Sequence, residues 1–581
     1  MTKKQNLHIK GIPAAPGLVI GQAFVLGSES MEVDKEPITE AQIPKEITRF
    51  EEALMKTREE ILDIQKKISK EMGVRHAQIF NAHLLVLEDR TLIEGVITRL
   101  KKEKLCIEYV FLQVLNKYIN TFAHIDDTYL RERLSDIEDV GRRILRNLRG
   151  VRRELLSSLK EKLIIVAYDL SPSDTASMHK DKVIGFITDI GGKTSHTAIM
   201  AKALEIPAVV GLEDATAKII TGDVLIVDGA SGEVWINPDK AILAKYKQQG
   251  EQLTRSVKTL FKLRDLPATT TDGYELKLAA NIELPNEVPS VIAHGACGVG
   301  LYRTEYFYMN RADLPGEDEQ FEAYKKVLQQ VKPHSVVVRT LDLGGDKFLS
   351  QLHIPHEMNP YLGWRAIRFC LARPDVFKVQ LRAALRASAY GDLKLMYPMI
   401  SGIEELRKAN QMLEEVREDL RRQKIAFDED LEVGAMIEIP SAALTSDILA
   451  KEADFFSIGT NDLIQYSIAV DRVNEKIAYL YEPTHPAVLR LIKNVIDCGH
   501  KENIWVGMCG EMASEPAFAV LLLGFGLDEF SVSPAAVPGI KQIIRLISLK
   551  QAQEIANQAL TLTTGREVEE FAKKKMKEII P

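Results

Sequence analysis

The alternation of apolar and polar positions changes rhythm several times along the chain. The opening stretch LHIKGIPAAPGLVIGQAFVL (7–26) is a set of short apolar runs broken by Gly and Pro, which predicts two β-strands joined by turns. Between about Ala41 and Gly150 the texture is helical. In EITRFEEALMKTREEILDIQKKISKEM (46–72) the apolar residues recur at helical spacing among Glu and Lys. That spacing predicts amphipathic helices packed as hairpins in a small bundle. A free coiled coil is disfavoured because no strict heptad is kept. Strand rhythm resumes at KLIIVAYDL (162–170) and runs through KVIGFITDI (182–190) and DVLIVDG (223–229) to EVWINP (233–238). The helical block therefore reads as an insertion into an α/β domain. KAILAKYKQQGEQLTRSVKTLFKLRDL (240–266) follows as a long polar helix, expected to link two globular parts.

Beyond it, strand and helix patterns alternate to the end. Eight strand candidates stand out: LKLAANI (276–282), GVGLY (298–302), SVVVRTL (335–341), LKLMYPM (393–399), VGAMIE (433–438), FFSIG (455–459), IWVGM (504–508) and EFSVS (529–533). Eight βα units over this length predict a TIM (β/α)8 barrel, with a doubly wound open sheet as the competing arrangement. A barrel carries its chemistry at the C-terminal ends of its strands.

Composition narrows the class. The chain has 581 residues, 46% hydrophobic and 27% charged, with a formal net charge of −7. These values exclude a disordered or collagen-like chain, and at roughly 150 residues per domain the length implies three or four domains. The acidic balance argues against a nucleic-acid binder. Five cysteines (106, 297, 370, 498 and 509) are scattered with no CxxC pair, the expectation for a reduced, cytoplasmic protein without a zinc ribbon or disulfide frame. The N-terminal residues carry no apolar region of signal-peptide length, and no run of about 18 apolar residues predicts a membrane span.

Polar residues gather where a barrel would need them. Arg303 follows GVGLY; Arg339 and Asp342 lie in VVVRTLDLGGDK with Lys347 just beyond; Glu438 ends VGAMIE; Asn461 and Asp462 follow FFSIGT; Cys509 and Glu511 follow IWVGM; Arg472 comes ten residues after Asp462. Glu438 and Asp462 are 24 residues apart, about one βα unit, so they would project from neighbouring strands into one mouth. Hard carboxylate oxygens suit Mg²⁺ or Mn²⁺. Arg303, Arg339 and Arg472 would fork onto phosphate or carboxylate oxygens. Cys509 at such a mouth could serve as a general acid or base. Charges on loops also form surface ion pairs, and a lone Cys is commonly a small buried hydrophobe; here it is the gathering at successive strand ends that favours a site.

A second locus is DIGGKTSHTAIMAKALEIPAVVG (189–211), where a strand runs into Gly191-Gly192 and a helical pattern starts near Thr197. His196 falls at the start of that helix, where exposed N–H groups and the helix dipole favour a phosphoryl group and keep the imidazole a neutral nucleophile. The GKT triplet is not a P-loop, because position 187 is Ile where that motif needs its first Gly. With no ATP motif elsewhere, a phosphocarrier histidine needs another donor. Arginines, a divalent cation and a proton-giving thiol suit an enol phosphate bearing a carboxylate, such as phosphoenolpyruvate.

The blocks GIPAAPG, GGKTSHTAIMA, GVGLYRTEYFYM, RTLDLGGDK, NPYLGWRAIR, FFSIGTNDLIQYSIAVDR and GMCGE together resemble enzyme I of the bacterial phosphoenolpyruvate:sugar phosphotransferase system, the phosphoenolpyruvate–protein phosphotransferases, nearly end to end. The resemblance implies a multidomain α/β protein: a phosphohistidine swivelling α/β domain with an inserted helical bundle, then a TIM barrel. The expected boundaries are 1–30 with 151–238 for the phosphohistidine domain, 31–150 for the helical HPr-binding domain, 239–266 for the linker helix and 267–581 for the phosphoenolpyruvate-binding and dimerisation barrel. It implies His196 as the phosphorylated histidine, and Arg303, Arg339, Arg472, Asn461 and Asp462 as phosphoenolpyruvate contacts. It further implies Glu438 and Asp462 on Mg²⁺, Cys509 as the acid that protonates the enolate, and HPr as the protein acceptor. Lys347 joins the substrate-binding set. IFNAHLLVLED (79–89) resembles the HPr-docking helix, making His83, Leu85 and Val86 candidate contacts, although such residues are equally at home in a bundle core. Ala15 stands where the family often has Ser and Lys193 where Arg is common; neither transfers an atom. Two other readings compete: an ATP-independent relative of pyruvate,phosphate dikinase, and a phosphoenolpyruvate-sensing scaffold. The first lacks the large ATP-binding domain its relatives need, and the second would be marked by loss of the histidine, a carboxylate or the thiol.

Overall fold

The computed structural model describes residues 6–26, 33–72, 83–84, 86–123, 134–150, 161–168, 170, 182–192, 201, 206–308, 313–343, 357, 359–472, 474 and 476–579. The chain divides into two units, Met1–Thr254 and Arg255–Pro581.

In the first unit eight described strands form one sheet in the order β1 (Leu7–Lys10), β8 (Glu233–Ile236), β7 (Val224–Asp228), β3 (Leu18–Val25), β4 (Leu163–Ala167), β5 (Val183–Thr188), β6 (Ala208–Val210) and β2 (Ile12–Ala15). Strands β3 to β6 run parallel and the flanking pairs antiparallel. Side chains alternate across a strand, and β4 shows the result: Ile165 and Ala167 enter one apolar core while Ile164 and Val166 enter the other. Where the rhythm of residues 7–26 predicts two strands, three form, because Gly11 and Gly17 punctuate the run twice. A further strand, β6, is too short to show a period. Strand β5 delivers the chain to Gly191 (φ +123°) and Gly192; His196 lies outside the described residues.

Between β3 and β4 come helices Ile43–Met72, Arg90–Glu103, Ile107–Ala123 and Leu134–Arg149. They bury a core of their own that includes Phe50, Ile61, Val96, Leu100, Phe111, Val140 and Ile144. Asp89 caps the second of them by accepting the N–H groups of Thr91 and Leu92. Helix Lys240–Phe261 carries the chain across the boundary between the two units.

The second unit is a closed parallel barrel: β9 (Lys277–Ile282), β10 (Val299–Tyr302), β11 (Val336–Arg339), β12 (Leu393–Tyr397), β13 (Val433–Ile437), β14 (Phe455–Ile458), β15 (Trp505–Met508) and β16 (Glu529–Val532), with β16 pairing back to β9. All eight expected strands are present. Outward-facing residues such as Phe456 and Ile458 join the large core against the helices, whereas Leu301, Val337, Met396, Met436, Phe455 and Cys509 fill the barrel interior. This two-sided burial makes the strands read as mostly apolar runs rather than alternating ones.

Candidate active site

The strands of the barrel end together, and their last residues set the site. Arg339 closes β11, Glu438 follows β13, Asp462 lies in the first turn of helix Thr460–Ile468 after β14, and Cys509 follows β15. Asp342, Glu438 and Asp462 each offer a carboxylate oxygen within 4.8 Å of the others. A Cβ at Gly459 would sit 2.7 Å from Glu438 Oε2, so glycine there lets the backbone pass close to that carboxylate. Glu438 Oε1 accepts the N–H of Met399 at 2.6 Å.

Two buried arginines face this cluster. Arg339 donates to Glu305 Oε1 at 2.5 Å and reaches Asp342 Oδ2 at 3.0 Å. Arg365 donates to Asp342 Oδ1 at 2.7 Å, lies 3.7 Å from Asp462 Oδ2, and reaches the Tyr466 hydroxyl at 3.4 Å. The Nε–H of each arginine is buried with no acceptor among the described residues, and the Thr460 hydroxyl likewise has no partner among them. Buried donors without partners are rare, and here they stand where an anionic ligand would supply the acceptors.

The electrostatics follow from burial and mutual repulsion. Burial, with the Asp462 and Asp342 charges added, pushes Glu438 well above the usual carboxylate range. Asp462 is also raised by burial and by Asp342, against the pull of Arg365, Arg472 and Arg339. Burial acts upward on Asp342 too, but Arg339 and Arg365 outweigh it and hold that carboxyl below its ordinary value. A divalent cation would relieve the repulsion in this triad of hard oxygens, so the residues present fit such an ion. The Cys509 thiol is pushed up to about 11 by burial, although a hydrogen bond from Ser457 and the Arg339 charge act the other way.

The expected barrel residues that the structure describes fall into one network, at different depths. Arg339, Glu438 and Cys509 are buried, Arg303 pairs with Glu283 at 2.6 Å, and Arg472 is exposed while still acting on Asp462. The Asn461 side-chain oxygen accepts the Glu511 N–H at 3.0 Å, and its carbonyl accepts from the Tyr481 hydroxyl at 3.3 Å. Lys347, His196 and Leu85 lie outside the described residues. His83 is buried in the helical region, and Val86 packs half-buried against its core. Three residues were given no role from sequence: Asp342, Arg365 and Glu305. Asp342 carried the same signal as Glu438, a charge just beyond an apolar strand. Glu305 opens a short 3-10 helix after β10 and Arg365 immediately precedes helix Ala366–Ala372; no periodicity marks them, and the signal that could have found them is their place in the blocks GVGLYRTEYFYM and NPYLGWRAIR.

Comparison with known proteins places this geometry in a class. A family model described as the PEP-binding domain of PEP-utilising enzymes (PEP, phosphoenolpyruvate) matches residues 257–549, that of their N-terminal domain residues 10–133, and that of their mobile domain residues 159–232. The chain thus has the three parts of a PEP-utilising enzyme. It is 46% identical over 570 residues to a phosphoenolpyruvate-protein phosphotransferase of Staphylococcus carnosus, covering 97% of this chain and 99% of that one. It is 47% identical over 572 residues to those of Bacillus sp. (strain S) and Geobacillus stearothermophilus, covering 98% of each chain. The chain belongs to the phosphoenolpyruvate-protein phosphotransferase family.

Proposed function

We propose that this protein is the enzyme I of a sugar phosphotransferase system: it takes the phosphoryl group of phosphoenolpyruvate onto His196, passes it to a histidine of HPr, and releases pyruvate. One observation carries the reading: two buried arginines pair with members of a cluster of three converging carboxylates at the barrel mouth, while their Nε–H groups have no acceptor among the described residues. Arg339 and Arg365 bind anionic oxygens and hold the substrate, with Arg303, Arg472, Lys347 and Asn461 completing the contacts. Asp342, Glu438 and Asp462 are the residues that would hold Mg²⁺. Such an ion supplies charge neutralisation on the phosphate and carboxylate oxygens. Arginines fixed before the substrate arrives stabilise the charge that spreads over the transferring oxygens. Cys509 gives its proton to the enolate carbon. It stays a thiol at neutral pH because burial disfavours the thiolate.

The domain roles follow the same reading. Residues 1–30 with 151–238 carry the phosphohistidine and 31–150 dock HPr, with His83, Leu85 and Val86 as the candidate contacts; 239–266 link this half to the barrel of 267–581. The protein acts in the cytoplasm; no helix among the described residues is long and apolar enough to cross a membrane. The barrel is proposed to pair with a second copy, which would cover exposed apolar side chains such as Leu444 and Tyr479.

Incubation with radiolabelled phosphoenolpyruvate, Mg²⁺ and an HPr tests the function. Label is expected on both proteins, and on neither when His196→Ala replaces the wild type. Label that appears on the His196→Ala enzyme defeats the assignment of the histidine. Absence of label from wild-type protein and HPr defeats the function itself.

A further inference from the structure

The proton-giving thiol is held from two sides inside the barrel. Its backbone is pinned: Asn281 Nδ2 donates to the Cys509 carbonyl at 3.0 Å, and Ser531 Oγ donates to Asn281 Oδ1 at 2.6 Å. The Cys509 N–H donates to the Ile458 carbonyl at 3.2 Å. Among the described residues its sulphur has one short polar contact, the Ser457 hydroxyl, which donates to Sγ at 3.4 Å. The Ile458 carbonyl is farther, at 3.9 Å from Sγ. Ser457 is buried, and the strand alternation turns it to the same interior side as Phe455.

We propose that Ser457 is a positioning residue for proton delivery, aiming and steadying the Cys509 sulphur through the Ser457 Oγ–H···Sγ hydrogen bond. The inference rests on Cys509 being the proton donor. When the enolate is protonated, the S–H bond breaks and a C–H bond forms at C3 from the enolate π pair. The S–H electrons stay on sulphur, leaving a thiolate. A hydroxyl that donates to sulphur gains strength as that charge develops, because hydrogen bonds to ions are the stronger ones. The other charged groups acting on the thiol are Arg339 and Arg303, which favour the thiolate, and Glu438, which opposes it. Ser457 is the one neutral donor on the sulphur among the described residues, and its bond can be deleted without altering that charge balance.

Proton transfer can be read apart from phosphoryl transfer. The full-length enzyme with Mg²⁺ and pyruvate in D₂O should exchange the pyruvate methyl hydrogens, followed by proton NMR, since the reverse proton transfer uses the same sulphur. Ser457→Ala is expected to slow this exchange roughly three- to tenfold. Half-saturating pyruvate and the single-turnover rate of radiolabel transfer from phosphoenolpyruvate onto the enzyme should stay within about twofold of wild type. Ser457→Thr, which keeps the hydroxyl, should restore exchange. Should Ser457→Ala unfold the barrel, Ser457→Cys keeps the side-chain volume with only a weak donor and takes its place. Wild-type exchange in the hydroxyl-less variant overturns the proposal, and so does an equal loss of exchange and label transfer, which would mean general damage to the mouth. A wild-type enzyme that neither exchanges nor labels would instead overturn the proposed function, and exchange retained by Cys509→Ala would remove the thiol from the reaction.

Discussion

The two ends of the barrel bury charge in opposite ways. At the N-terminal end, Lys394 pairs with Glu432, and the Trp505 Nε1–H donates to Glu432 Oε2 at 2.9 Å. Lys277 and Lys394 stand 5.6 Å and 5.9 Å from the Trp505 ring, which stacks on Phe455 at 4.4 Å. Most of these charges have a partner within the protein. At the C-terminal end, three carboxylates repel one another while two arginines keep Nε–H groups with no partner among the described residues. One end is closed upon itself, and the other leaves clustered carboxylates and free donors for a ligand to satisfy. That is the division a (β/α)8 barrel makes between stability and chemistry, and it appears here in the bonding pattern alone.

The largest test of that contrast is Glu438→Gln. Phosphoryl transfer should fall by about 10³-fold, the scale of losing one preorganised electrostatic group. Thermal stability in the absence of divalent cations should hold or rise, because one repelling charge is gone. Mg²⁺ should raise the melting temperature of the wild type through binding to the native state, and raise that of the variant less. A variant that loses activity together with stability would show that the C-terminal end is built like the other. Next in size is Lys394→Met at the closed end. Removing one partner of a buried ion pair costs about 3 kcal/mol, and less here because Glu432 is 38% exposed. The melting temperature should drop while kcat and KM for phosphoenolpyruvate stay put. A fall in kcat measured well below the melting temperature would break the division.

These two variants also mark what could be read in advance. The barrel strands were legible because both their faces are buried, so each is a short, mostly apolar run of four to six residues. Glu438, Asp462 and Arg339 were legible because each is a charge set against such a run. Arg365 was not. It precedes helix Ala366–Ala372, after a segment with no periodicity, and only the folded chain brings it 2.7 Å from Asp342. Ser457 was hidden for another reason. A serine within an apolar strand gives no sign of which face it takes, and only the register pairing it with Gly507 turns it toward Cys509. In the sheet, β6 escaped notice because three residues, Ala208–Val210, cannot establish a period.

The smallest expected effect concerns a deeply buried carboxyl at the closed end. Glu529 is fully enclosed at the start of β16, its carboxylate so near Gly300 that a Cβ there would lie 2.6 Å from Oε1. Burial raises its pKa from 4.5 to about 7, with Lys277 and Lys394 opposing and Glu432 adding to the rise. A carboxyl raised in the folded state favours folding while it is protonated. Its contribution is fully present below pH 4.5, declines as the pH climbs toward 7, and changes no further once both states have lost the proton. Glu529→Gln removes that decline. The variant's melting temperature should match wild type near pH 4.5, exceed it increasingly up to pH 7, and keep a constant lead above. The lead corresponds to at most about 3 kcal/mol, and to less if the lysines swing toward the carboxylate. Activity should be unaffected throughout, since the group lies at the far end of the strands from Arg339 and Cys509. A lead that is the same at every pH would show that Glu529 is not held protonated by its burial, and a loss of turnover would tie the closed end to the chemistry after all.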